Sequence, residues 1–158
     1  MANVMNWYYS DGGRSRYFKA KFVRDCVTRA IANATGKDYK EIYDEINELA
    51  KSERKGKKKK GISNARNGVY KTTERKYLKS LGWVYKPVNS IGQVIKFHLT
   101  ENDLKALGLE SGCYILHIAR HLTVVKDGVI YDTFNPTFDY NTGESYEPML
   151  YGYYYRAV

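Results

Sequence analysis

The chain has 158 residues, 43% of them hydrophobic and 27% charged, which suits one soluble domain with a core that needs no staples. It contains no run of the roughly 18 apolar residues that a membrane span requires, and Met1 to Ser10 lacks the pattern of a secretory signal. Two cysteines, Cys26 and Cys113, exclude a disulfide-dense scaffold and a four-cysteine zinc site, so a reduced, cytoplasmic setting is expected.

The net charge is +9, and its distribution says more than its total. Residues 51–79 hold twelve basic side chains against Glu53 and Glu74, a net of +10, while the remainder of the chain is at −1. A nearly neutral domain therefore carries one basic insert. Its centre, Lys57-Lys58-Lys59-Lys60 between Gly56 and Gly61, repels itself and reads as a loop. Lys55, Lys57, Lys58, Lys59, Lys60 and Arg66 are the candidates for contact with nucleic acid or an acidic partner protein. The competing reading is a solvated loop that aids solubility. Aromatic residues do not interleave with the lysines, so no stacking platform is visible.

In chain order, residues 1–24 are irregular or hold a short strand, with a turn at Asp11-Gly12-Gly13. Asp25 reads as an N-cap, followed by Val27, Ala30, Ile31 and Ala34 at helical spacing, and Gly36 as the stop. Asp38 and Glu41 resemble a capping box ahead of Tyr39, Ile42, Tyr43, Ile46 and Leu49. Helices are expected over 25–35 and about 39–53, then over about 73–80. Trp83 to Tyr85 and Val94 to Leu99 read as short strands, with a brief helix capped by Thr100 between Leu99 and Leu107. Strands follow over 114–118, 121–126 and 129–134, the last two joined by Asp127-Gly128, a strong hairpin signal. The tyrosine-rich segment at 151–155 reads as a closing strand, its rings supplying core and sheet surface. Helices first and strands later indicate an α+β fold with an antiparallel sheet.

Three residues suggest chemistry. Cys26 is the first residue of a predicted helix, where orphan N–H groups and the macrodipole favour a thiolate. If Asp127 and Gly128 form the turn, Thr123 faces Asp132, and His121 lies diagonal to Asp132 on the same face. Diagonal Cβ atoms are roughly 7 Å apart, within reach of an Asp–His hydrogen bond. Leu122 and Val124, on the other face, are expected in the core. Cys26 as nucleophile, His121 as base and Asp132 as orienter follow in the chain order of a papain-like active site. A lone cysteine is otherwise most often a small buried hydrophobe. Cys113, His117 and His98 read as structural. On a straight strand His117 and His121 stand about 13 Å apart, too far to share a metal. With no close-spaced ligand pair, no metal or cofactor is expected.

The stretches Asp25-Cys26-Val27-Thr28-Arg29-Ala30-Ile31-Ala32, Asn64-Ala65-Arg66-Asn67-Gly68-Val69-Tyr70 and Arg120 to Thr133 resemble a group of small phage-encoded proteins of unknown function. These are similar in layout to papain-like cysteine peptidases. The resemblance covers most of residues 20–135. It implies a single papain-like domain and a Cys26–His121–Asp132 site acting on a peptide or protein substrate in the host cytosol. Papain-like enzymes usually place a glutamine about six residues before the nucleophile; here that position is Ala20, and the sole glutamine is Gln93. The alternative is a non-catalytic papain-like binding protein whose basic loop engages nucleic acid or an acidic host protein. An acyltransferase would use the same three residues.

Overall fold

The computed structural model describes residues 4–19, 23–54, 61–89 and 96–157. In chain order the elements are β1 (Trp7–Tyr9), a 3-10 turn at Arg14–Arg16, α1 (Cys26–Thr35), α2 (Tyr39–Ala50), α3 (Lys71–Ser80), β2 (Trp83–Pro87), α4 (Glu101–Ala106), β3 (Cys113–Ile118), β4 (His121–Lys126), β5 (Val129–Asp132), β6 (Phe138–Asp139), β7 (Glu144–Ser145) and β8 (Leu150–Arg156). The fold is α+β. The chain divides into a helical unit, Asp11–Val84 with Arg156–Val158, and a sheet unit, Met1–Ser10 with Tyr85–Tyr155.

In the helical unit, α1 is buried on more than one face. Val27, Ala30 and Ile31 are covered, as their spacing requires, but so are Thr28, Arg29, Ala32 and Asn33. The extra burial has visible causes. The Asp11-Gly12-Gly13 turn crosses α1 so closely that a Cβ on Gly12, whose φ is +69°, would lie 2.9 Å from the Ala32 Cβ. The Asn64–Gly68 turn inserts Ala65, 1% exposed, with its carbonyl accepting from Thr28 and its N–H donating to Asn47 of α2. Asp38 caps α2 through the Glu41 N–H at 3.2 Å.

Helix α2 stops at Ala50 rather than running to 53. Glu53 lies past that end, and its carboxylate accepts from the Ser63 N–H at 2.6 Å and from the hydroxyls of Ser63 and Thr73. These contacts join Glu53 to Ser63 and to Thr73 of α3. Helix α3 begins at Lys71, two residues earlier than expected, after an extended Tyr70. Tyr77 and Leu78 bury its inner face.

The sheet unit carries six strands in the order β1-β5-β4-β3-β8-β2. The β5–β4–β3–β8 ladder is antiparallel, as expected, but β1 adds to the edge of β5 in parallel, so the sheet is mixed. No hairpin joins β1 to β5, so local turn chemistry does not set their relative direction. Asp127 and Gly128 both have positive φ, 48° and 80°, as a type I′ turn requires. The β4–β5 register that follows pairs Lys126 with Val129, Val125 with Ile130 and Val124 with Tyr131. A second two-residue turn, Ala119-Arg120, joins β3 to β4, with Arg120 at φ 56°.

One core cluster of this unit gathers Leu116, Ile118, Val125, Ile130 and Leu150 with Leu99 and Leu104. Leu122 and Val124 are buried as predicted, but Val125, on the face of His121, is buried too, so the sheet is apolar on both faces. The expected strand over 94–99 has its first two residues outside the described set, and the rest holds only a single bridge, His98 to Met149. Strand β5 ends at Asp132 rather than Phe134, because the Asp132 carboxylate takes the Thr133 N–H at 2.7 Å and the chain turns away.

Candidate active site

His121 opens β4 immediately after the Ala119-Arg120 turn, and Asp132 closes β5. The diagonal relation predicted from the hairpin register is present. His121 Nε2 lies 2.6 Å from Asp132 Oδ2. The same oxygen accepts from the Thr123 hydroxyl at 2.7 Å, and Oδ1 accepts from the Thr133 N–H. The Asp132 carbonyl also accepts from the Ser10 N–H at 2.9 Å, tying this corner to the segment after β1. Asp132 is 3% exposed, and a buried carboxylate held by these donors cannot reorient. It takes the Nε2–H of the imidazole, which fixes the tautomer and makes Nδ1 the basic nitrogen. The imidazole is 13% exposed and tilts against the Phe134 ring, with centroids 4.9 Å apart.

Beside His121, the sheet unit forms an open groove of about 360 Å³. Phe134, Phe138, Tyr140 and Tyr146 supply much of its wall, and Asp139 is its one carboxylate. Neither Thr123 as a donor to Asp132 nor this groove was among the predicted site residues. The signal for the groove was in the composition. Residues 133–149 contain Asp139, Glu144 and Glu147 with four aromatic residues and two prolines, and no Lys, Arg or His.

Cys26 belongs to the helical unit, where it is the half-buried first residue of α1. Its position depends on Asp25, and here the structure corrects the sequence. Asp25 stands at the N-cap position, but its side chain makes no capping bond. It is fully buried and accepts from Arg14 Nη1 at 3.1 Å, Arg29 Nη1 at 2.5 Å and the Tyr39 hydroxyl at 2.6 Å. Burial, and then the bond to Asp25, push the Tyr39 phenol well above its ordinary range, so it remains a donor. The carboxylate thus points at two guanidinium groups instead of the helix N–H groups, which locks the chain immediately before Cys26.

Cys113 is half-buried at the start of β3, and burial raises its thiol above the ordinary value while Lys126 draws it slightly back. It is accordingly poorly nucleophilic at neutral pH. His117 sits between Tyr85, whose hydroxyl is 3.2 Å from Nδ1, and the Tyr151 ring. The His98 N–H donates to Asp103. Among the described residues there is no group of three or more His, Cys, Asp or Glu placed to hold a metal ion. Lys55, Lys57, Lys58, Lys59 and Lys60 lie outside the described residues; Arg66 is exposed in the Asn64–Gly68 turn.

Comparisons with protein-family models, with curated protein sequences and with solved structures return no match for this chain.

Proposed function

We propose that the chain is a papain-like cysteine hydrolase that cleaves a peptide or isopeptide bond through an acyl-enzyme on Cys26. The observation that carries this reading is the 2.6 Å contact of His121 Nε2 with a buried Asp132 carboxylate. A core histidine needs one partner; this one has an orienter that is itself held by two further donors, the arrangement a general base requires.

In this reading His121 Nδ1 takes the proton from the Cys26 sulfur, and the sulfur attacks the carbonyl carbon of the scissile amide. The oxyanion is met by N–H groups at the start of α1. His121 then delivers its proton to the departing amine, which leaves as the C–N bond breaks. A water molecule, deprotonated by the same nitrogen, attacks the thioester, releases the acid and restores the thiol. Asp132 keeps the imidazole oriented through both half-reactions.

Iodoacetamide alkylation at neutral pH, followed by mass spectrometry of peptides containing Cys26 and Cys113, tests this. Cys26 is expected to react at least about tenfold faster in the folded protein than in urea, and to lose that advantage in His121→Ala. Equal rates folded and unfolded would end the hydrolase reading. The second reading, a non-catalytic binding protein, rests on the +10 charge of residues 51–79. It calls for nucleic-acid affinity that falls steeply with salt.

A further inference from the structure

We propose that the groove beside His121 is a recognition pocket for a cationic side chain, lysine or arginine, of the substrate. This rests on the hydrolase reading for its biological sense but not for its test. The groove joins two features that a purely apolar pocket would not combine. Its wall is aromatic, with Phe138 and Tyr140 packed edge to face at 5.0 Å and Phe134 against the imidazole. Asp139 is part of that wall, and its Oδ1 accepts from the N–H groups of Asn141 at 2.9 Å and Thr142 at 3.4 Å.

The charge pattern around it points the same way. In the β6–β7 pair, Asp139 stands directly opposite Glu144. Like charges in that position repel, and among the described residues neither carboxylate forms an ion pair. Glu147 adds a third negative charge, and residues 133–149 carry no positive one, in a protein whose net charge is +9. A cation entering here relieves that repulsion and meets the negative faces of the rings. The methylene stem of lysine or arginine covers the apolar wall while its head reaches Asp139. An apolar side chain would leave the carboxylate poorly solvated, and an acidic one would be repelled. The volume, about 360 Å³, is at the small end of ligand sites and suits one long side chain.

The test is binding rather than turnover. The methylamides of Nα-acetyl-lysine, -arginine, -leucine and -glutamate are titrated into Cys26→Ala protein and followed by NMR. The lysine and arginine amides are expected to bind about tenfold or more tighter than the other two. Asp139→Asn should weaken the cationic amides about tenfold and leave leucine unchanged. Tyr146→Leu should weaken them several-fold without removing the carboxylate. Equal or tighter binding of the leucine amide, no binding of any amide, or indifference to Asp139→Asn would each overturn the proposal. Because the thiol is absent, such a failure is separate from a failure of Cys26 to alkylate, which removes the hydrolase reading alone.

Discussion

Replacing Asp25 by serine separates two roles that the position can play. Serine is a good N-cap, so if Asp25 acted by capping α1 the variant would lose little; even Asp25→Ala would cost only about 1 kcal/mol. The structure instead shows a fully buried carboxylate between Arg14 and Arg29, whose side chains are 9% and 8% exposed. Removing the carboxylate from such a group withdraws the acceptor that two buried guanidinium groups share, a loss of about 3–5 kcal/mol. The Tyr39 hydroxyl loses its acceptor as well, but the sites share one network and the losses do not add. Asp25→Ser is therefore expected to cost nearly as much as Asp25→Ala, lowering the melting temperature by on the order of 10 °C for a chain of this size. Urea denaturation followed by circular dichroism measures it. A triple variant, Asp25→Ser with Arg14→Met and Arg29→Met, removes the aspartate together with both arginines and should recover at least half the loss. A serine variant within about 1 kcal/mol of the parent would refute the ion-pair account and restore the cap.

Cys113 supplies a pH-dependent term. Its thiol is raised in the folded state, so its contribution to stability is complete below the unfolded thiol value and is lost as pH rises from about 8.5 through the folded value. The urea-midpoint difference between the parent and Cys113→Ala should thus shift against the parent between about pH 7 and 10; a constant difference would contradict it. Gly152, which pairs with His117 on β3, has no room for a side chain. A Cβ there would overlap the Tyr85 hydroxyl and sit 2.8 Å from the Lys86 carbonyl oxygen. Gly152→Ala is expected to cost about 1–3 kcal/mol in thermal or urea unfolding. Gly61→Ala, where nothing lies within 4 Å, should stay within about 0.5 kcal/mol. Equal effects at the two positions would show that the close approach at Gly152 relaxes freely.

Local chemistry was legible from the residues themselves. The helices at Cys26–Thr35 and Tyr39–Ala50 follow from apolar spacing and from Gly36 and Asp38 at their ends, because a helix is written in contacts three and four residues apart. The Asp127-Gly128 turn set the β4–β5 register, and the register alone placed His121 diagonal to Asp132. Whatever depends on distant partners was not legible. An aspartate ahead of a helix looks the same whether it caps the helix or neutralises two arginines; only folding brings Arg14 and Tyr39 to Asp25. The parallel addition of β1 and the gathering of four aromatic rings around Asp139 likewise depend on tertiary packing. Periodicity and turn residues encode the elements because their energetics are short-ranged. Ion-pair partners, strand neighbours across the chain and the walls of a groove are decided when elements far apart in sequence compete to bury the same surface.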